Sequence, residues 1–212
     1  DVTDYYGFKD ECNKRVKRRK NGLTFSEGKL FYELITDSFK YLPICAILNN
    51  SIFCVHGGIS SLLDNRRQLL SIQKVGIELD FNDVIQSELL WNDPSNSVSL
   101  YEKSERGVGF VFGQEALNSF LRKLNLKLVI RGHQMEDDGY NWPFGETGGI
   151  LTVFSSIEYC GFPNSAGLAV VSNKKNECKN LVDVVQMKAD SDSNHYFKIV
   201  TKLILFSNLM RI

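Results

Sequence analysis

The sequence predicts one domain of the α/β or α+β class, because apolar strand-like runs alternate with helical patterns along most of the chain. Its 212 residues are 43% hydrophobic and 24% charged, as in an ordinary globular protein. No polar linker and no internal repeat interrupts them. This composition excludes disordered, collagen-like and disulfide-dense proteins.

Charge and cysteine usage predict neither a polyanionic partner nor disulfides. The 25 Lys and Arg residues balance the 25 Asp and Glu residues, so nothing points to nucleic acid. The five cysteines form no Cys-x-x-Cys pair, and we expect thiols in a reducing compartment, the cytoplasm, the nucleus or both. No apolar run reaches the length of about 18 residues that predicts a membrane span.

The first forty residues predict two helices. Acid–base pairs four residues apart support the first, which includes the basic run 14–20 and ends at Asn21-Gly22. That run suits a solvated helix face, a nuclear address or a phosphate-binding patch. The second is predicted over Lys29–Tyr41, with an apolar stripe formed by Leu30, Leu34, Ile35 and Phe39.

A hairpin follows, with strands at Ile44–Leu48 and Ile52–Val55 joined by Asn49-Asn50-Ser51. Their continuous apolar composition predicts burial on both faces. A helix is predicted over Gln114–Leu124, and strands at Lys127–Ile130, Ile150–Phe154, Leu168–Ser172 and Leu181–Met187. After residue 188 the pattern breaks down, so we separate residues 1–188 from a divergent tail at 189–212.

Two of the three histidines end apolar strands beside glycine, in Val55-His56-Gly57 and Arg131-Gly132-His133. Ligands collect at the carboxyl ends of strands in open α/β sheets, and imidazole suits zinc, iron or manganese. Hydrogen-bonded histidines without a ligand remain the alternative.

Arg106 and Tyr159 each have two interpretations, one functional and one purely structural. Arg106 lies in a glycine-bearing loop and can hold a phosphate, but its spacing favours a surface salt bridge to Glu102 or Glu105. Tyr159, which also follows a predicted strand, can lie near the same strand ends as the histidines or be a core aromatic. Nucleotide-binding and serine-hydrolase motifs are absent from the sequence.

Taken together, eight segments resemble the phosphoprotein phosphatase family of metal-dependent serine/threonine phosphatases, over about residues 4 to 188. They are, in chain order, Tyr6-Gly7-Phe8-Lys9-Asp10-Glu11-Cys12, Phe39-Lys40-Tyr41-Leu42-Pro43, Ile52-Phe53-Cys54-Val55-His56-Gly57-Gly58-Ile59-Ser60, Leu89-Leu90-Trp91-Asn92-Asp93-Pro94, Arg106-Gly107-Val108-Gly109-Phe110, Arg131-Gly132-His133-Gln134, Asp138-Gly139-Tyr140 and Tyr159-Cys160-Gly161.

The resemblance implies the calcineurin-like metallophosphoesterase fold, a β-sandwich flanked by helices. It also implies hydrolysis of phosphoserine and phosphothreonine by a hydroxide that bridges two metal ions (manganese, iron or zinc). By position, His56 and His133 match ligands of one metal, Arg106 a phosphate clamp and Tyr159 an aromatic at the phosphate rim. Asp93 matches a supporting acidic position near that rim. The implied partners are a phosphoprotein substrate and regulatory or targeting subunits.

The sequence also departs from the family. Gly-Asp-x-His-Gly, Gly-Asp-x-x-Asp-Arg-Gly and Gly-Asn-His-Glu do not occur in it, so the resemblance is to a catalytic domain without its N-terminal third. Two histidines alone cannot hold a dinuclear cluster, and we expect this stretch alone to be inactive. Without the preceding segments, the sheet that holds Ile52–Val55 is expected to expose an edge and an apolar face.

A second departure favours other functions. Ser156-Ile157-Glu158 replaces the family's Ala-Pro-Asn, and the Glu158 carboxylate would repel a phosphate dianion. The alternative is a phosphatase-like binding or scaffold protein without catalysis. A module that holds one metal ion or a phosphate at His56, His133 and Arg106 is a third hypothesis.

Overall fold

A computed structural model describes residues 2–5, 7–18, 25–72, 83–173, 180–188 and 198–204. These residues fall into two compact units, one within residues 1–43 and one from residue 44 onward. Within this described part of the chain, none of the helices has the length and apolarity needed to cross a bilayer.

The first unit is helical, as predicted, with α1 (Val2–Tyr5), α2 (Phe8–Arg18), α3 (Phe25–Ser38) and a 3-10 helix (Phe39–Tyr41). The predicted stop at residues 21–22 lies outside the described residues. Phe8 packs against Tyr32 and Phe39, with ring centroids 6.0 and 6.4 Å apart. Leu30 and Leu34, which belong to the apolar stripe on α3, are exposed, whereas Tyr32 is buried.

The second unit contains the sheets. Its helices are α4 (Arg66–Ser71), α5 (Val84–Trp91), α6 (Gln114–Lys123) and a 3-10 helix (Tyr159–Gly161). Its strands are β1 (Cys45–Leu48), β2 (Ile52–Val55), β3 (Asp93–Pro94), β4 (Tyr101–Lys103), β5 (Phe110–Phe112), β6 (Leu128–Arg131), β7 (Tyr140–Asn141), β8 (Ile150–Val153), β9 (Ala166–Asn173), β10 (Asn180–Lys188) and β11 (Lys198–Ile204). They form sheets in the orders β1-β2-β6-β8-β7, β11-β10-β9 and β3-β5-β4.

The five-stranded sheet and the β11-β10-β9 sheet form a β-sandwich with a helical layer, which confirms the expected fold. Successive strand residues point to opposite faces, so the three central strands of the five-stranded sheet, β2, β6 and β8, contribute to two cores. One core joins this sheet to β10 and contains Ile52, Leu128, Leu151, Val182 and Val184. The other lies between the same sheet and α6, and includes Phe53, Val129, Ile150, Leu117 and Phe120.

The predicted hairpin is present, but its first strand is not buried on both faces. Asn49 and Asn50 turn the chain with φ of 49° and 55°, a conformation that asparagine tolerates better than most residues. Along β1, half-buried positions alternate with exposed ones, because Cys45 and Ile47 pack against the core that includes α6 while, among the described residues, the other face of β1 contributes nothing to the core at β10. β2 lies between β1 and β6 and is buried, so the expected open edge belongs to β1 and not to β2.

One strand lies in the segment that we separated as a tail. β11 pairs antiparallel with β10, from Val182 opposite Ile204 to Lys188 opposite Lys198. The sequence pattern does not predict this strand, because Lys198 and Lys202 interrupt its apolar residues.

Candidate functional site

The two histidines meet at one edge of the five-stranded sheet. β2 and β6 are parallel neighbours, so the residues that follow them leave the sheet at the same end. His56 follows β2 directly, and His133 comes two residues after β6. His56 Nε2 lies 3.2 Å from His133 Nδ1, and the two rings meet edge-on with centroids 5.0 Å apart.

Backbone contacts hold both histidine loops in place. The N–H of Gly132 donates to the carbonyl of His56 at 3.1 Å, which joins the two loops directly. His133 has a φ of 67°, in the left-handed region, and its ring stands edge-on to Trp91 at 5.3 Å. The loop after β6 is therefore turned sharply enough to bring the His133 ring back over the end of β2.

The two glycines beside the histidines do different things. A Cβ on Gly57 would lie 2.6 Å from the backbone nitrogen of Trp91, so glycine is needed because α5 approaches there. A Cβ on Gly132 would meet its nearest atom, Val153 O, at 3.6 Å, an ordinary contact. At Gly57, therefore, the close approach is made by the chain itself.

Both imidazoles are kept neutral. Burial lowers the pKa of His133 to about 4, and the positive charges of Arg131, His56 and Arg106 act in the same direction, against Asp93. Burial also lowers the pKa of His56, again with Arg131 contributing. Neutral imidazole is the form that binds a metal ion, so the electrostatics favour ligand chemistry over a charged histidine pair.

Asp93 lies beside the histidines and joins two arginines. Its Oδ1 accepts from Arg131 Nη2 at 2.7 Å, and its Oδ2 accepts from Arg106 Nε at 2.9 Å. The Asp93 side chain is 6% exposed, while that of Arg106 is 46% exposed. The surface salt bridge that the spacing favoured, from Arg106 to Glu102 or Glu105, is therefore wrong, because Arg106 pairs with Asp93.

Arg131 is a site residue that the sequence reasoning missed. Its side chain is fully buried, and desolvation lowers its pKa to about 10 against the opposing charge of Asp93, so it stays charged at neutral pH. The signal was present in the sequence: an arginine that ends the apolar run Leu128-Val129-Ile130 must be paired if the strand is buried. The identity of its partner could not be read from that run.

Asn92, which is also fully buried, was missed as well. Its Nδ2 donates to the carbonyl of Ile59 at 2.8 Å, and its Oδ1 accepts from the N–H of Phe110 at 2.7 Å. Asn92 therefore ties the loop after His56 to the strand that follows Arg106.

Tyr159 begins the 3-10 helix in the segment that follows β8, a strand parallel to β6. Its ring stands edge-on to Phe154 at 5.1 Å, and its backbone N–H donates to Asn164 Oδ1 at 2.8 Å. Glu158 and Cys160, on either side, have φ of 51° and 53°. Tyr159 is 44% exposed, which contradicts a core position; its place at a phosphate rim stays a prediction.

The histidine pair fits two ligands of one metal ion, but the described residues do not complete a site. Two nitrogens that bind one ion at about 2.0–2.1 Å lie about 3.0–3.4 Å apart, and the observed 3.2 Å falls within that range. Asp93 Oδ1 is 4.0 Å from His133 Nε2, a buried nitrogen with no hydrogen-bond partner. Among the described residues, no group of three or more His, Cys, Asp and Glu side chains can hold a metal ion.

Comparison with known proteins gives the same family as the sequence motifs. The family model for calcineurin-like phosphoesterases, which normally bind divalent metals, matches residues 4–137. A solved structure of a protein serine/threonine phosphatase from Saccharomyces cerevisiae, described as similar to human phosphatase PP5, matches with 25% identity and a TM-score of 0.60. The match covers 94% of this chain and 55% of that structure, so the chain spans about half its length. These matches are consistent with a phosphoprotein phosphatase catalytic domain. Because the family model covers more than half of the chain, the protein belongs to the calcineurin-like phosphoesterase family.

Proposed function

We propose that this chain is part of a metal-dependent serine/threonine phosphatase that hydrolyses phosphoserine and phosphothreonine. The observation that carries the proposal is the pair of neutral imidazoles, 3.2 Å apart, at the carboxyl ends of parallel strands and beside Asp93. The 3.2 Å contact alone would also suit a hydrogen bond between the two rings, but the position beside Asp93 at the ends of two parallel strands favours a ligand site. The similarity to a serine/threonine phosphatase supports the choice of substrate class.

In this function, His56 Nε2 and His133 Nδ1 would hold one metal ion, and the lowered pKa values keep both rings neutral, so that each ring has an unprotonated nitrogen to offer. Two metal ions (manganese, iron or zinc), when bound, supply water activation and neutralise charge on the phosphoryl oxygens. The His56–His133 pair supplies part of one binding site, so this stretch alone is expected to be inactive.

Arg106 binds the phosphate, and Asp93 orients the guanidinium of Arg106. The bond from Arg106 Nε to Asp93 fixes one edge of the guanidinium, and the side chain is exposed enough for a phosphate oxygen to reach its other N–H donors. Tyr159 lies at the phosphate rim and contributes an exposed aromatic ring. Phosphoproteins are the substrates, and regulatory or targeting subunits select among them.

A second candidate is a phosphatase-like scaffold protein without catalysis, in the cytoplasm or the nucleus. Two observations favour it: the incomplete ligand set of the described residues, and an exposed carboxylate at Glu158 beside Tyr159. This carboxylate would oppose the approach of a phosphate dianion.

One experiment separates the two candidates. The native transcript is sequenced upstream of the codon for Asp1, and the encoded protein is assayed with Mn²⁺ on phosphoserine, phosphothreonine and phosphotyrosine peptides. A phosphatase requires Gly-Asn-His-Glu and the two aspartate motifs there, together with hydrolysis of the first two peptides that a chelator abolishes.

The variant His133→Asn serves as the negative control, because asparagine tolerates the left-handed backbone of this position while removing the ligand. Hydrolysis that survives chelation or this substitution contradicts the proposal. A protein that lacks those motifs and hydrolyses none of the peptides supports the scaffold.

A further inference from the structure

A single guanidinium connects the segments that carry the proposed ligands and the phosphate clamp. Arg131 Nε donates to the carbonyl of Gly57, and Nη1 donates to Gln134 Oε1 at 2.6 Å. Nη2 donates to Asp93 Oδ1 at 2.7 Å and lies 3.4 Å from the carbonyl of Asn92. All three nitrogens of the guanidinium therefore donate hydrogen bonds to the protein.

These partners are the neighbours of the proposed site residues. Gly57 follows His56, Gln134 follows His133, and Asp93 holds Arg106. The partners come from the loop after β2, the loop after β6 and the segment after α5. A shift of the Arg131 side chain must therefore disturb both histidine loops and the Asp93–Arg106 pair together.

We propose that Arg131 is a positioning residue, which fixes His56, His133 and Arg106 relative to one another for the hydrolysis of a phosphate ester. It touches neither metal nor substrate and acts through Gly57, Gln134 and Asp93. This inference rests on the proposed function, because the relative position of these side chains matters only if phosphate and metal are bound at the same site.

The geometry requires arginine rather than any cation. The planar fork of a guanidinium presents donors in several fixed directions, whereas a lysine has one nitrogen at the end of a flexible chain. Lysine can keep the charge pair with Asp93 but cannot also reach the Gly57 carbonyl and Gln134 with the same geometry. A buried ion pair is also weak evidence of a stabilising role, since apolar replacements are often neutral.

The chain offers a matched control in Arg66. This arginine also bonds three carbonyl groups, those of Leu124, Asn50 and Asn125. Its partners lie at the starts of β2 and β6, the end of the sheet away from His56 and His133. Arg66→Lys therefore loses a comparable structural clamp without touching the site.

The first measurement uses the full 212-residue chain without ligand. The exchange rate of the Arg106 Nε proton with water is measured by ¹⁵N NMR in the wild type, Arg131→Lys, Arg131→Met and Arg66→Lys, along with each melting temperature. We expect exchange at least about tenfold faster in both Arg131 variants, because without the guanidinium fork Asp93 is no longer fixed in one orientation toward Arg106, and no change in Arg66→Lys. The inference is overturned if Arg131→Lys melts lower, as the control does, and leaves the exchange rate unchanged.

The second measurement is the affinity of the same four proteins for inorganic phosphate, by calorimetry. We expect about tenfold weaker binding in both Arg131 variants and wild-type binding in Arg66→Lys. Equal affinity in all four overturns the inference. If the wild type binds no phosphate while the exchange rate responds to Arg131, the phosphate-binding role of Arg106 in this stretch fails and the positioning network is supported; the phosphatase function itself is tested by the peptide assay above.

Discussion

His56 Nε2 and His133 Nδ1 lie 3.2 Å apart, although 77 residues separate them in the chain. The parallel pairing of β2 and β6 brings the two strand ends together, and the bond from Gly132 N–H to the His56 carbonyl fixes the loops. The pair depends on the sheet and not on any local motif, so substitutions that disturb the ends of these strands should affect both histidines.

Asp93→Asn should destabilise the protein strongly. It removes the negative charge that balances Arg131, whose side chain is fully buried, and a buried charge without a partner is costly. We expect a loss of about 3 kcal/mol in the free energy of unfolding, measured by urea denaturation.

The control for Asp93 is Asp64→Asn. Asp64 pairs with Lys123 at 2.6 Å, but both side chains are largely in solvent, so its loss should cost less than about 1 kcal/mol. If both substitutions lower the free energy of unfolding equally, the buried pair of Asp93 and Arg131 contributes no more to stability than an exposed ion pair.

Stability should fall as the pH is lowered from about 6.5 to about 4. Burial lowers the pKa of His133 from 6.5 to about 4, so in this window the unfolded chain binds a proton that the folded chain does not. Above pH 6.5 His133 is neutral in both the folded and the unfolded chain, so it does not reduce the free energy of unfolding. As the pH falls below 6.5, protonation of the unfolded chain lowers that free energy. One such proton corresponds to a slope of up to about 1.4 kcal/mol per pH unit.

The test compares urea denaturation of the wild type and His133→Asn at pH 7, 6 and 5. The variant removes the titrating imidazole and tolerates the φ of 67°. It should depend less steeply on pH over this range; an identical pH dependence in both proteins would refute the assignment to His133.

Gly57→Ala should destabilise the fold, and Gly132→Ala should not. The added methyl group at Gly57 would press against the backbone of α5, at 2.5 Å from Leu90 O, and backbone atoms cannot move aside as a side chain can. We expect a loss of about 1–3 kcal/mol, measured as a lower urea midpoint. Gly132→Ala has ordinary clearance and should change stability by less than about 0.5 kcal/mol.

The chain should bind one Ni²⁺ ion through the histidine pair at pH 7.5. Because the lowered pKa values keep both imidazoles neutral, protons compete little for their nitrogens. His56→Asn and His133→Asn should each weaken binding by at least about tenfold in calorimetry, since even losses outside the ligand set commonly cost that much. Cys160→Ser, which removes an exposed thiol, is the control and should bind as the wild type does. Binding that follows Cys160 instead would contradict the assignment.

The elements with strong local patterns were predicted well. The hairpin turn, α6, and strands β6, β8, β9 and β10 were all located from apolar runs and turn residues to within two residues at most ends. β11 was missed because two lysines interrupt its pattern. The burial of β1 on both faces was predicted wrongly, because an apolar run indicates that a segment can be buried and not which neighbour covers it.

The sequence by itself determined which residue types end which strands, and therefore that His56 and His133 each lie beside the carboxyl end of an apolar strand; the parallel pairing of β2 and β6 then brought them to one edge of the sheet. Only the tertiary structure decided that Arg106 pairs with Asp93 rather than with a nearby glutamate, and that Arg131 joins three segments. The reason is physical: strand ends follow from local periodicity, whereas the partner of a buried charge depends on which distant donors and acceptors the packed sheets bring within about 3 Å.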